Sequence, residues 1–251
     1  MYTDLSVMSA RDNTNATAQL IRAMIYRGKN SCEECPESIA DLFKCTFPEV
    51  QITYAGPDED VQINADTLSQ VDAFVQPGGP GTLYSTRTPH ADKRANSLED
   101  VNEAMDEAKP YIGAVRDFIS NGGRYIGFCL GAYMAGHDPG FSLIPAGDDV
   151  SDEIYEPNSQ VKNENDTVIQ VDWTFSTGKK AGTTEKKRWA YFQDGTAFFL
   201  GDDSPAKVLA TYSSDGNVAA MLNQFGDGWV ANVGPHPEAD QDWCKSSMSL
   251  I

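Results

Sequence analysis

Residues 124–135, R-Y-I-G-F-C-L-G-A-Y-M-A, constrain the fold more than any other stretch of the chain. A β-prone apolar run passes into a helix-prone run with no polar loop between them, and a cysteine flanked by Gly127 and Gly131 stands at the junction. A chain turns that sharply only where small residues let backbone pass closely on both sides of the pivot. The pattern G-x-C-x-G is the cysteine form of the nucleophile elbow, a strand-to-helix turn that belongs in a layered α/β sheet.

The flanking sequence fits such a sheet. Residues 20–26, 50–54 and 71–75 read as three further strands, with 124–128 the fourth. Between them lie a helix opened by Cys35, Pro36 and Glu37 with an apolar face of Ile39, Leu42 and Phe43, and a helical stretch over 98–120 interrupted at Pro110. Strands alternating with helices over residues 18–136 predict a parallel, doubly wound sheet. Beyond residue 136 the texture changes to short β-prone runs at 167–175, 188–192, 197–200, 208–212, 218–222 and 229–233. Hairpin-type pairs such as Asp194-Gly195, Asp215-Gly216 and Asp227-Gly228 separate several of them. The expected architecture is a flexible lead-in over 1–17 and one domain over 18–251. Its mostly parallel α/β sheet gains antiparallel strands in the C-terminal half.

Composition narrows the partners. Nineteen basic against 37 acidic residues give a net charge of −18, which repels phosphate backbones, so nucleic acid is not expected. No apolar run is long enough to span a bilayer, and residues 1–17 lack the apolar centre of a secretory signal. The five cysteines are too scattered for a disulfide scaffold. Cys32 and Cys35 form one C-x-x-C with no second pair, which argues against a structural metal site; neither metal nor other cofactor is expected. The pair is open between a disulfide, a redox-active dithiol and two reduced thiols, and Glu33 and Glu34 oppose a thiolate there. Cytosol and secretion both fit: the missing signal favours the first, while acidity and the sequons at Asn15 and Asn165 favour the second.

Cys129 is the candidate nucleophile. A helix starting at Leu130 aims its N-terminus at the sulfur and favours thiolate, and the Leu130 N–H is placed to receive an oxyanion. A base must come from His90, His137 or His236. His137 lies roughly 12 Å along the helix from Cys129 at 1.5 Å per residue, and nothing near His90 orients it. His236 directly follows a strand, where α/β active sites collect, and Glu238 two residues on can orient the imidazole and stabilise its protonated form. The second oxyanion donor is expected from Gly78-Gly79-Pro80-Gly81; Pro80 has no N–H, leaving Gly79 or Gly81, with Gly79 favoured. Tyr84 and Tyr133 are candidate substrate-contacting residues.

Strand–G-G-P-G, G-F-C-L-G and G-P-H-P-E, in that order, resemble the class I glutamine amidotransferase superfamily. With Y-F-Q-D-G at 191–195 and V-L-A-T-Y at 208–212, the chain is most similar to the amidotransferase-like N-terminal domain of eukaryotic biotin–protein ligases and its stand-alone relatives. The resemblance covers residues 18 to about 243 and implies a flavodoxin-like sheet with Cys129 as nucleophile, His236 as base and Glu238 as orienter. It departs from working glutamine amidotransferases at Tyr133, where they usually carry a glutamine that helps hold the substrate. No synthetase or biotin-transfer segment matches, so biotin ligation is not expected. Three functions follow: a cysteine amidase or hydrolase acting on a small amide or acyl substrate through a thioester; a non-catalytic module that keeps the pocket and binds a ligand or docks a protein partner; and a glutaminase subunit for a separate synthetase. A homodimer is compatible with each.

Overall fold

The computed structural model describes residues 20–79, 93–176, 180–240 and 243. The expected lead-in, Pro80, Gly81, Tyr84, His90 and Cys244 lie outside the described residues.

One mixed sheet organises the chain. Four strands, β1 (Arg22–Tyr26), β2 (Gln51–Ala55), β3 (Ala73–Gln76) and β4 (Arg124–Phe128), alternate with helices α1 (Cys35–Thr46), α2 (Ala65–Leu68), α3 (Lys93–Ala108) and α4 (Ile112–Ser120). Helix α5 (Leu130–Met134) follows β4 after a single residue. The remaining strands are β5 (Asp149–Asp152), β6 (Thr167–Thr174), β7 (Thr184–Phe192), β8 (Thr196–Phe199), β9 (Lys207–Tyr212), β10 (Val218–Phe225) and β11 (Gly228–Val233). Their lateral order is β2-β1-β3-β4-β11-β10-β9-β6-β7, with β8 paired to β10 and β5 to β8.

The first five strands in that order run parallel. β10 turns back against β11 through the tight Asp227 turn, and β9, β6 and β7 continue antiparallel. The strand at 229–233, expected among the added antiparallel set, therefore has two roles: antiparallel to β10, it also joins the parallel core beside β4, with Val233 opposite Phe128.

Successive residues of a strand point to opposite faces, and the parallel strands fill two cores accordingly. Ala23, Ile25, Ala73, Val75, Ile126 and Phe128 face α1, where Ile39 and Phe43 are fully buried. Met24, Tyr26, Phe74 and Tyr125 face the other way, toward Val115 and Ile119 of α4 and Leu130 and Met134 of α5. Each large aliphatic or Phe side chain buried here contributes about 1.5–3 kcal/mol, and the two layers fix β4 and α5 from both sides. Among the described residues no helix is long and apolar enough to cross a membrane.

Candidate active site

The elbow is built as its glycines require. Cys129 has φ 47 and ψ −106, a backbone state that side-chain-bearing residues rarely adopt, at a cost on the order of 1–3 kcal/mol. A Cβ on Gly127 would lie 2.5 Å from the Gly131 carbonyl oxygen, and one on Gly131 would collide with the backbone oxygen of Gln76. Three neighbours hold the strained turn: the Cys129 N–H donates to Val233 O at 2.9 Å, the Gly131 N–H to Pro77 O at 3.2 Å, and the Tyr125 hydroxyl to Gly131 O at 2.7 Å. Between these two engaged amides the Leu130 N–H meets no acceptor among the described residues. Gly79, also buried, ends the described part of the loop after β3, and its N–H likewise meets none there.

His236 arrives three residues after β11. Its N–H donates to Tyr191 O at 2.8 Å, and its ring stands edge-on to the Tyr191 ring with centroids 5.6 Å apart. The other side of the ring lies on Gly78, where any Cβ would strike it. Glu238, in the 3-10 turn Pro237–Ala239, holds His236 Nδ1 through Oε1 at 2.8 Å, with both side chains buried. Burial alone would lower the imidazole pKa. The Glu238 carboxylate and the Cys129 sulfur, by charge and hydrogen bonds, outweigh it and hold the ring well above its ordinary value, on the imidazolium side. A cysteine sulfur, a histidine and a carboxylate thus meet in a line of contact at the C-terminal ends of β4 and β11.

The antiparallel half closes over the sulfur. The turn between β7 and β8 brings Gln193 O to 3.5 Å and Asp194 O to 3.9 Å from Cys129 Sγ, and Asp194 has a positive φ of 51. Tyr133, buried on α5, donates its hydroxyl to Asp152 of β5 and, at 3.3 Å, to Asp194 O. Burial in this acidic surround raises its pKa well above the usual phenol value. Tyr133 therefore stands beside Cys129 with its hydroxyl already engaged. Gln193, Asp194, Asp152 and Tyr191 have no role assigned from sequence; the Y-F-Q-D-G motif and its Asp194-Gly195 turn point to three of them, and nothing local points to Asp152. His137 is away from the site, its Nε2 at 3.2 Å from Pro145 O.

Cys32 and Cys35 are joined as a disulfide with Cα atoms 5.2 Å apart, and Cys45 is disulfide-bonded as well. The Cys32 N–H donates to Gly78 O at 2.9 Å, so this loop is fastened to the one beneath His236. Among the described residues Cys129 is the cysteine outside a disulfide.

No family model and no curated protein matches the chain. Solved structures resemble it at low identity. A putative ThuA-like protein from Bacteroides uniformis has 14% identity and a TM-score of 0.49 over 95% of this chain and 94% of its own. A cytoplasmic protein from Salmonella typhimurium LT2 has 10% identity and a TM-score of 0.49 over 92% and 95%. A β-galactosidase from Bacillus circulans has 13% identity and a TM-score of 0.47; the match takes in 92% of this chain but 30% of that one. The chain spans a similarly small share, 29%, of a GH42 β-galactosidase.

Proposed function

We propose that the chain is a cysteine-dependent amidase or hydrolase with a flavodoxin-like core, related to the class I glutamine amidotransferases and within them to the biotin–protein ligase N-terminal domain. The observation that carries this reading is the strained Cys129 elbow, its sulfur in contact with an imidazole that Glu238 holds on the imidazolium side. The strand order β2-β1-β3-β4 within the parallel set supports the flavodoxin-like assignment.

In this reading His236 already carries a proton and Cys129 reacts as its thiolate partner, attacking the carbonyl carbon of a small amide or acyl substrate. The C=O electron pair moves onto oxygen, where the Leu130 and Gly79 N–H groups stabilise it. Collapse of the tetrahedral adduct breaks the C–N bond; the departing amine takes the proton from His236 and leaves a thioester. Water then attacks the thioester while His236 takes its proton, and expulsion of the sulfur releases the acid. Glu238 stays ionised and orients the ring throughout. Tyr133 argues against glutamine as the substrate, because its hydroxyl is committed to Asp152 rather than offered to a carboxamide.

Trapping tests the proposal. Incubation with a chloroketone or haloacetamide near neutral pH is expected to add one label, on the Cys129 peptide, and none to Cys129→Ala. A wild-type protein that stays unlabelled while folded would favour the non-catalytic binding module.

A further inference from the structure

The Cys32–Cys35 disulfide reaches the His236–Glu238 pair. A ligand atom from each of Cys35, His236 and Glu238 lies within 4.8 Å of the other two, and all three residues are buried. A second observation points the same way. Glu238 uses Oε1 on His236, but its Oε2 is buried and meets no hydrogen-bond partner among the described residues. A carboxylate oxygen left without a donor in a dry site is costly unless a proton or a cation reaches it.

We propose that opening this disulfide creates a zinc-type metal site made by Cys35, His236 and Glu238. In the oxidised protein the Cys35 sulfur carries no charge and binds metal poorly. A phosphine or dithiol reductant supplies two electrons, the S–S bond breaks, and two protons from solvent give the Cys32 and Cys35 thiols. On metal binding the Cys35 S–H and any proton on the ligating His236 nitrogen pass to buffer. A thiolate, a neutral imidazole and a carboxylate then surround a divalent ion, with water in the open position. This is a borderline-soft donor set of the kind zinc takes. The two negative ligands cancel the ion's charge, which matters because all three side chains are out of solvent. Donors around a tetrahedral zinc stand about 3.3–3.8 Å apart, so closing the cluster needs movements of about an ångström. The released Cys35 can supply them from the first residue of α1. The metal occupies the imidazole and draws Glu238 to itself, so the site is incompatible with His236 acting as base. The metal site itself rests on the cluster geometry alone; only its consequence for catalysis rests on the hydrolase reading.

The test removes each cysteine singly, in a Cys129→Ser background so that the elbow sulfur cannot contribute. Cys32→Ser leaves Cys35 as a thiol without any reductant; Cys35→Ser leaves the opposite. Each folded protein is titrated with Co²⁺ and then displaced with Zn²⁺. Cys32→Ser is expected to develop a thiolate-to-cobalt charge-transfer band at one ion per chain. It should bind Zn²⁺ at least about tenfold more tightly than Cys35→Ser, since removing even an outer-shell partner costs 10–100-fold. The single variant Cys129→Ser should bind only after reduction, and more tightly than Cys129→Ser/Cys35→Ser reduced in the same way; this comparison decides the matter if Cys32→Ser does not fold. Equal binding by the two cysteine variants, binding by the oxidised protein, or no band after reduction overturns the proposal. None of these readouts uses hydrolysis, so their failure leaves the hydrolase reading standing, and failure of Cys129 trapping leaves the metal site standing.

Discussion

The parallel and antiparallel parts of the sheet bury their strands differently. β3 is buried at every position and β4 at all but its first, because helices cover both faces there. β7 is open along much of its length; its Trp189 and Val168 of the neighbouring β6 remain about half exposed at 54% and 51%. The difference divides the labour at the site. The parallel strands hold the proposed reacting groups at their C-terminal ends: Cys129 after β4, His236 after β11 and Gly79 after β3. The antiparallel ribbon contributes backbone instead, with Tyr191 O on the His236 amide and Gln193 O and Asp194 O on the sulfur. In the proposed reading, the side chains assigned to chemistry sit where packing leaves one position, and carbonyls at a hairpin turn tolerate more change.

The sharpest contrast is expected in rate. His236→Asn should lower turnover of any amide the protein accepts by about 10²–10⁴-fold. Tyr191→Phe, which keeps the backbone carbonyl and the ring edge, should change it by less than about tenfold, as expected of a residue outside the proton transfers. Steady-state kinetics on the two variants measures the gap; equal losses would erase the proposed division.

Stability gives the next largest contrast. Gly131→Ala puts a methyl into the Gln76 carbonyl, with β3 and α5 fixed on both sides, and should cost about 3 kcal/mol. Gly216→Ala, in the β9–β10 turn, meets open space and pays only for its φ of +81, about 1–2 kcal/mol. Denaturant unfolding of both variants reads the difference directly.

The smallest effect lies on the seam. Glu153 follows β5, its N–H on Gly195 O, its carboxyl near Asn217 and Asp215. Burial, and then the charge of Asp215, push its pKa up from 4.5 to about 8. The folded chain then keeps a proton that the unfolded chain releases above 4.5. The stabilisation is complete below that pH and is lost progressively as pH rises to about 8. Melting temperature should fall across this window, and Glu153→Gln, with no proton to lose, should flatten the fall.

Much of this was legible in the sequence because it depended on local pattern. Gly127 and Gly131 around Cys129 announce a turn that only close backbone approach explains, and three histidines leave few choices of base. The parts that were not legible depend on long-range partners. β5, D-V-S-D, is polar and reads as loop; it is a strand because β8 pairs with it, and Asp152 is buried because Tyr133 reaches it. α2 is a single turn held by the Asn64 side chain capping Asp66 and Thr67, too short to show a period. The Asp227 turn signals the β10–β11 hairpin but not that β11 also lies along β4. For Cys32 and Cys35, spacing permits thiols or a disulfide; the fold brings their Cα atoms to bonding distance and sets Cys35 beside Glu238.

The central claim is that Cys129 forms a thioester under the control of His236 and Glu238. The most direct measurement is intact and peptide mass after the protein is mixed with an activated small acyl ester and quenched in acid. One added acyl group on the Cys129 peptide is expected, released by hydroxylamine and absent from Cys129→Ala. An adduct that persists in Cys129→Ala, or a folded wild-type protein with no adduct at all, contradicts it.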